Sequence, residues 1–205
     1  MNISTKLIFI VVLSVFFSKT EANDGTKAKA VLDKTVAYIG NKNGASADFQ
    51  ISSGKIAATS GSIAIKGNRF HMRTPQVIIW FDGKTQWTYT KKTNEVNVIH
   101  PFETGQMIIN PYTIINTYRS GYNLAIKTIG NNYQVHLSAT EASKDIKELY
   151  ILVDGKTYAP LRIKMRQKNE WTIINITNFK TKNIPNSDFF FKQKDYPTAE
   201  VIDLR

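Results

Sequence analysis

Cysteine is missing from all 205 residues, and that absence closes several routes at once. A disulfide framework, thiol catalysis and a cysteine zinc site are excluded. A lipid anchor on a cysteine behind an export signal is excluded too, so the chain is not itself a lipoprotein. Prolines are few, 6 in total, and no Pro-rich, Gly-rich or low-complexity stretch divides the chain, so one domain is expected. Long hydrophobic runs are limited to one. Leu7 to Phe17 is apolar apart from Ser14, about half of the roughly 20 residues that a spanning helix needs. Acidic residues are outnumbered: 16 Asp and Glu stand against 27 Lys and Arg, a formal net charge of +11.

The apolar run follows a short segment, Met1 to Lys6, with one positive charge. Beyond it, Thr20 and Ala22 occupy the small-residue positions of a signal-peptidase site. Residues 1–22 are therefore expected to be a cleaved signal peptide and 23–205 a single domain in the periplasm. Removing Lys6, Lys19 and Glu21 changes the charge to 11 − 2 + 1 = +10. In the cytosol such a balance would suggest nucleic acid, but an exported protein does not normally meet it, and no nucleic-acid partner is expected. The basic residues are dispersed along polar strand faces, as in Arg162, Lys164 and Arg166. Solubility is the plain reading; transient contact with an anionic membrane surface is the sharper one.

Hydrophobic spacing predicts one helix and then many strands. Ala28, Val31, Leu32, Thr35, Val36 and Ile39 recur every three or four residues, and Gly40 stands at the C-cap position. After that the period is two. Ile63 and Ile65, Phe70 and Met72, Trp87 and Tyr89, and Val96 and Val98 each alternate with polar neighbours, the pattern of an antiparallel sheet wet on one face. Asp82-Gly83, Gly130-Asn131-Asn132, Asp154-Gly155 and Lys168-Asn169-Glu170 mark turns. The meander is interrupted at Met107-Ile108-Ile109-Asn110-Pro111, where Asn110 is a predicted N-cap and Pro111 the first residue of a short helix. With Ile108, Ile114, Ile115 and Tyr118, that insert is apolar on most of its surface and must be covered.

Chemistry-bearing constellations are absent. His71, His100 and His136 lie far apart with no carboxylate at ligand spacing, so no metal site is expected. There is no serine-centred elbow and no phosphate-cradling glycine loop. Asp82, Glu95, Asp145 and Asp154 sit in turns or on polar faces, and no catalytic residue or cofactor is expected. The aromatic and Met residues on the apolar faces leave two readings open. They form ordinary core, or they exceed what two helices can cover and line a cavity.

Several segments resemble the outer-membrane lipoprotein carriers of the LolA type. They are Gly61-Ser62-Ile63-Ala64-Ile65-Lys66-Gly67-Asn68-Arg69-Phe70, then Thr74-Pro75, the hairpin Asp82-Gly83-Lys84-Thr85-Gln86-Trp87-Thr88-Tyr89, and Glu95-Val96-Asn97-Val98. The hairpin is the most specific part, and the likeness extends from about Lys27 to the end, nearest to the divergent carriers of Bacteroidetes-type bacteria. It implies an α+β, mainly β fold: an incomplete antiparallel β-barrel, or curled sheet, with an N-terminal helix and a short lid helix. It implies a monomeric periplasmic carrier that is no enzyme and needs no cofactor. Such a carrier takes acylated lipoproteins from an inner-membrane ABC transporter to an outer-membrane acceptor. By position, the lipid cavity would be lined by Ile63, Ile65, Phe70, Met72, Trp87, Tyr89, Val96 and Val98. The lid would carry Met107, Ile108, Pro111, Ile114, Ile115 and Tyr118. One departure stands out: the family often has Lys-Arg-Pro where this chain has Lys66-Gly67-Asn68, so the arginine that pins the lid is missing. A lipoprotein-sensing domain, a general glycolipid shuttle and a carboxylate-lined enzyme are the competing readings.

Overall fold

The computed structural model describes residues 19–40, 42–54, 57–101, 114 and 116–205. Helix α1 spans Lys19–Ile39 and starts earlier than the apolar spacing alone marks it. Its buried stripe is the expected one: Ala28, Val31, Leu32, Thr35 and Ile39 are all shielded from solvent. The helix closes where Gly40 donates its N–H to the Val36 carbonyl at 2.8 Å. No described helix is long and apolar enough to cross a membrane.

All twelve strands among the described residues join one sheet. In chain order they are β1 (Ala45–Ser53), β2 (Thr59–Lys66), β3 (Arg69–Arg73), β4 (Val77–Phe81), β5 (Gln86–Thr90) and β6 (Glu95–Ile99). There follow β7 (Tyr122–Ile129), β8 (Asn132–Ala139), β9 (Ile146–Asp154), β10 (Pro160–Gln167), β11 (Glu170–Thr181) and β12 (Glu200–Asp203). The spatial order is β12-β6-β5-β4-β3-β2-β1-β11-β10-β9-β8-β7. Two meanders, β1–β6 and β7–β11, are therefore zipped together by the antiparallel β1–β11 pair. Among the described pairings, only β12 runs parallel to its neighbour, β6. No described pairing joins β12 to β7, so the curled sheet stays open as an incomplete barrel.

Turn chemistry is reused along the meander. The Asp82 carboxylate accepts the N–H groups of Lys84 and Thr85 at 2.8 and 2.7 Å. Asp154 does the same for Lys156 and Thr157 at 3.0 and 2.7 Å. These hydrogen bonds hold the Asp154 carboxyl below its usual range, the expected result of donors aimed at a charged acceptor. At Gly83, φ is +103°, and a Cβ there would lie 2.7 Å from the Asn68 amide nitrogen. The positive φ, which side chains other than glycine rarely adopt, is the reason for glycine here.

One continuous inner face runs across most of the sheet. Register places Leu137 opposite Leu149 and Leu149 opposite Met165, and further on Ile163 opposite Ile174 and Ile174 opposite Ile51. Helix α1 lies over this face. Ala28, Val31 and Leu32 pack with Val135, Leu149, Ile151 and Met165, while Ile39 joins Ile65, Phe70, Ile79 and Phe81 at the other end. Between these two clusters the face is not filled.

At β4 the apolar side changes. Ile78, Ile79, Trp80 and Phe81 are all buried, so this strand is covered on both faces. On β5 the inner row becomes Gln86, Thr88 and Thr90, and the outer row becomes Trp87 and Tyr89. The outer row, with Val96 and Val98, is roofed by the C-terminal segment through Phe191, Tyr196 and Ala199. Trp80 meets Phe191 and Tyr196 edge-on, both at 5.5 Å between ring centroids.

Candidate functional site

The gap between the two inner clusters is a cavity of about 620 Å³, within the 300–1,000 Å³ span usual for small-molecule sites. Strand β1 runs down its middle and contributes Ala45, Ala47, Phe49 and Ile51; β2 and β3 add Ile63, Ile65 and Met72. On the other side β10 and β11 supply Ile163, Ile174, Ile176 and Phe179, and Ile114 and Ile39 close over it. The described lining residues include no charged side chain; its polar members are Ser46, Thr59, Thr74 and Gln76. Such a surface offers burial of apolar area and few hydrogen-bonding groups.

Local sequence explains the hollow. Ala45 and Ala47 are too small to fill the space above β1. Gly61 stands opposite Phe49 across the β1–β2 pair, and a Cβ at 61 would come within 2.7 Å of the Phe49 ring and 2.1 Å of the Arg73 carbonyl oxygen. Glycine at this position leaves the space that the tip of the Phe49 ring occupies over β2. Strand β1 is not legible in the sequence, since Ala45-Ser46-Ala47-Asp48 has weak strand propensity. Ile174 and Ile176 are not legible as cavity lining either, because the flanking Ile173 blurs the alternation.

The expected cavity residues divide into two groups. Ile63, Ile65 and Met72 line the cavity, and Phe70 lies on the same face, in the cluster beneath its Ile39 end. Trp87, Tyr89, Val96 and Val98 sit on the opposite, outer face, which corrects the expectation of one cavity wall through β5 and β6. The reason is register. Met72 pairs with Ile79 and Ile79 with Thr88, so the inner row passes through Thr88 and leaves Trp87 outside. Alternation fixes two faces per strand but does not say which one points inward.

Of the expected lid, Met107, Ile108, Pro111 and Ile115 lie outside the described residues. Ile114 is 5 % exposed and lines the cavity, and Tyr118 is 4 % exposed. The Tyr118 hydroxyl donates to the Asp33 carboxylate of α1 at 2.5 Å, tying this segment to the helix. Burial, together with that carboxylate, pushes the Tyr118 hydroxyl up to about 12. Asp33 is held below its ordinary value by Lys29, 2.7 Å away, and then by Tyr118. Where the resemblance expects an arginine after Lys66, Gly67 turns with φ +60°, and the Lys66 ammonium donates instead to the Ile184 carbonyl at 2.8 Å.

The histidines are separate. His71 stacks on Trp80 at 5.4 Å on the outer face. Burial, with Arg73 second, pushes it down to about 4. His136 stacks on Tyr150 at 4.1 Å beside Glu148. No group of three or more metal-capable side chains occurs among the described residues.

An open, curled antiparallel sheet with a helix across its concave side and an aliphatic hollow beneath is now in view. The family model described as outer membrane lipoprotein carrier protein LolA matches residues 15–169, more than half of the chain. The chain belongs to the LolA family. No curated protein matches it. Among solved structures, an uncharacterized conserved protein from Thermus thermophilus is similar in fold. It has a TM-score of 0.60 and 11 % identity over 86 % of this chain and 99 % of that one. A LolA superfamily protein from Nitrosomonas europaea matches with TM-score 0.43 and 10 % identity over 80 % and 97 %. LprF from Mycobacterium bovis matches with TM-score 0.40 and 11 % identity over 78 % and 94 %. The divergence from each is large, and the LolA membership rests on the family match.

Proposed function

We propose that this protein is an exported carrier that binds the acyl chains of lipoproteins in its cavity and moves them from the inner to the outer membrane. The observation that carries the reading is the 620 Å³ aliphatic hollow beneath Ile114, in a chain of the LolA family. Each buried methylene is worth about 0.8 kcal/mol, so an acylated protein leaves a bilayer only when something else shields its chains. An unanchored protein with a dry interior supplies that shield without a cofactor or nucleotide. The expected route is from an ABC transporter of the inner membrane to an acceptor of the outer one, through the periplasm, after loss of residues 1–22. Isoleucine and Met72 side chains make a lining that adapts to different tails, which suits a carrier of varied cargo.

The direct test is to purify the protein from the periplasm and analyse what lipid-bearing species comes with it. Acylated proteins are expected with the natural chain and should be lost from Ile114→Asp, which puts a charge over the cavity. Lipoproteins co-purifying equally with both forms, or with neither, would remove the assignment.

A further inference from the structure

The outer face of the sheet is roofed in one part and bare in another. Over β4–β6 the C-terminal segment covers it, and Trp80, Val96 and Val98 are buried beneath Phe191 and Tyr196. Over β9–β11 the outer face stays open to solvent. Leu149, Ile151, Ile163 and Met165 point inward to the core under α1, and strand alternation sends their neighbours outward. Tyr150, Leu152, Trp171 and Ile173 are each only half-buried there, and Arg162 is exposed.

Three successive outward residues of β10 are cations. Arg162, Lys164 and Arg166 follow one another at about 6.6 Å, two strand steps each. Register sets Lys164 beside Tyr150 of β9 and Arg166 beside Trp171 of β11. The Lys164 ammonium lies 4.1 Å from the centre of the Trp171 ring, and the Arg166 guanidinium 5.8 Å from it. Tyr150 adjoins Trp171 with 6.1 Å between centroids. The charge on this face is one-sided. Its carboxylate, Glu148, is engaged by Arg166 and His136. Arg162 donates to the neutral Asn175 at 2.7 Å and Lys164 rests on the Trp171 ring, so neither has a carboxylate partner among the described residues.

Uncompensated cations set among half-exposed rings match a surface that is anionic and partly apolar at once. The headgroup layer of a bilayer is such a surface. Trp and Tyr settle at that depth, and Lys and Arg lay their stems along apolar surface while their heads reach for charge. We infer that the outer face of β9–β11 is a docking surface for anionic phospholipid bilayers, with Arg162 and Lys164 on the lipid phosphates and Trp171 and Tyr150 at headgroup level. The cavity uses the opposite face of β10 and β11, through Ile163 and Ile174, so a docked molecule keeps it clear of the lipid. The inference does not depend on what the cavity carries.

The test is co-sedimentation of the purified protein with vesicles of pure phosphatidylcholine, and of phosphatidylcholine mixed in equal parts with phosphatidylglycerol. Binding is expected to the mixed vesicles alone, and should fade as salt shortens the Debye length below about 10 Å. Each cation near an anionic leaflet raises affinity about fivefold, the equivalent of about 1 kcal/mol, so Arg162→Ala with Lys164→Ala should weaken binding about thirtyfold. Trp171→Ala should weaken it severalfold; if that variant fails to fold, the charge pair carries the test. Lys180→Ala with Lys182→Ala removes the same charge from exposed positions at the far end of β11 and should leave binding nearly unchanged. Equal losses from the two charge pairs would show that net charge, not this face, holds the vesicle, and would overturn the inference. Equal binding to both kinds of vesicle, or binding to neither, would overturn it as well. So would binding of poly-glutamate in place of vesicles, which would mark the face as one for an acidic protein.

Discussion

The inner face around the cavity and the outer face under the C-terminal segment are cut from one sheet yet end in opposite states. The outer face is solid. Trp80, Tyr89, Phe191 and Tyr196 interlock edge-on or tilted, with centroids 4.7 to 5.6 Å apart, and large flat rings fill the space between sheet and strap. The inner face is hollow. Its described lining is chiefly Ile and Ala, which are too short to reach across the curl to one another, and its described aromatic side chains are Phe49 and Phe179. Aromatic residues that look like a ligand cage in the sequence are structural filler here, and the inconspicuous alanines of β1 leave the room. Size, more than hydrophobicity, separates core from cavity in this molecule.

The sharpest way to break that contrast is to truncate a ring on the solid side. Trp80 is 5 % exposed, and Trp80→Ala should cost about 3–5 kcal/mol in denaturant unfolding, while the folded fraction still binds acyl chains. Loss of binding without loss of stability would mean the two faces have been assigned the wrong way round.

Acid should also act on the outer face. With its imidazole pushed down to about 4 in the folded state against about 6.5 unfolded, His71 favours folding when neutral. That contribution is complete above pH 6.5 and is lost as pH falls toward 4, an upper figure of about 3 kcal/mol by linkage. The Arg73 guanidinium beside it disfavours its protonation and Asp188 favours it. His71→Gln should flatten the stability profile between pH 4 and 6.5; an unchanged slope there would assign the acid sensitivity to other groups.

On the hollow side the balance reverses. Met72 is only half-buried and borders the cavity, so Met72→Asp should weaken acyl binding at least tenfold, about 1.4 kcal/mol. Its unfolding free energy should fall by less than Trp80→Ala costs. The smallest expected effect belongs to Tyr118→Phe, which removes one hydrogen bond to a partly exposed Asp33 and should cost about 1 kcal/mol in unfolding free energy. A larger loss there would show that this hydrogen bond between α1 and the Ile114 segment holds more of the structure than one such bond ordinarily does.

How far the sequence alone leads follows from the same contrast. The stripe of α1, the Asp82 and Asp154 turns and strands β2, β3, β5 and β6 could all be read from period and turn residues. Strand β1 could not, because Ala, Ser and Asp carry little strand preference and its pairing to β11 is a contact across 130 residues, as between Asp48 and Asn178. Ile63, Ile65 and Met72 were readable as cavity lining. Trp87, Tyr89, Val96 and Val98 were readable as one apolar face, but the face they form is set by register through Ile79 and Thr88, which periodicity does not carry.

A crystal structure of the protein grown with monopalmitoylglycerol would test the central claim most directly. A continuous alkyl chain is expected above Ala47, between Ile63 and Ile176 and beneath Ile114, with nothing bound near Trp87. A chain lying instead against the outer face, or an inner face closed up by its own side chains, would contradict it.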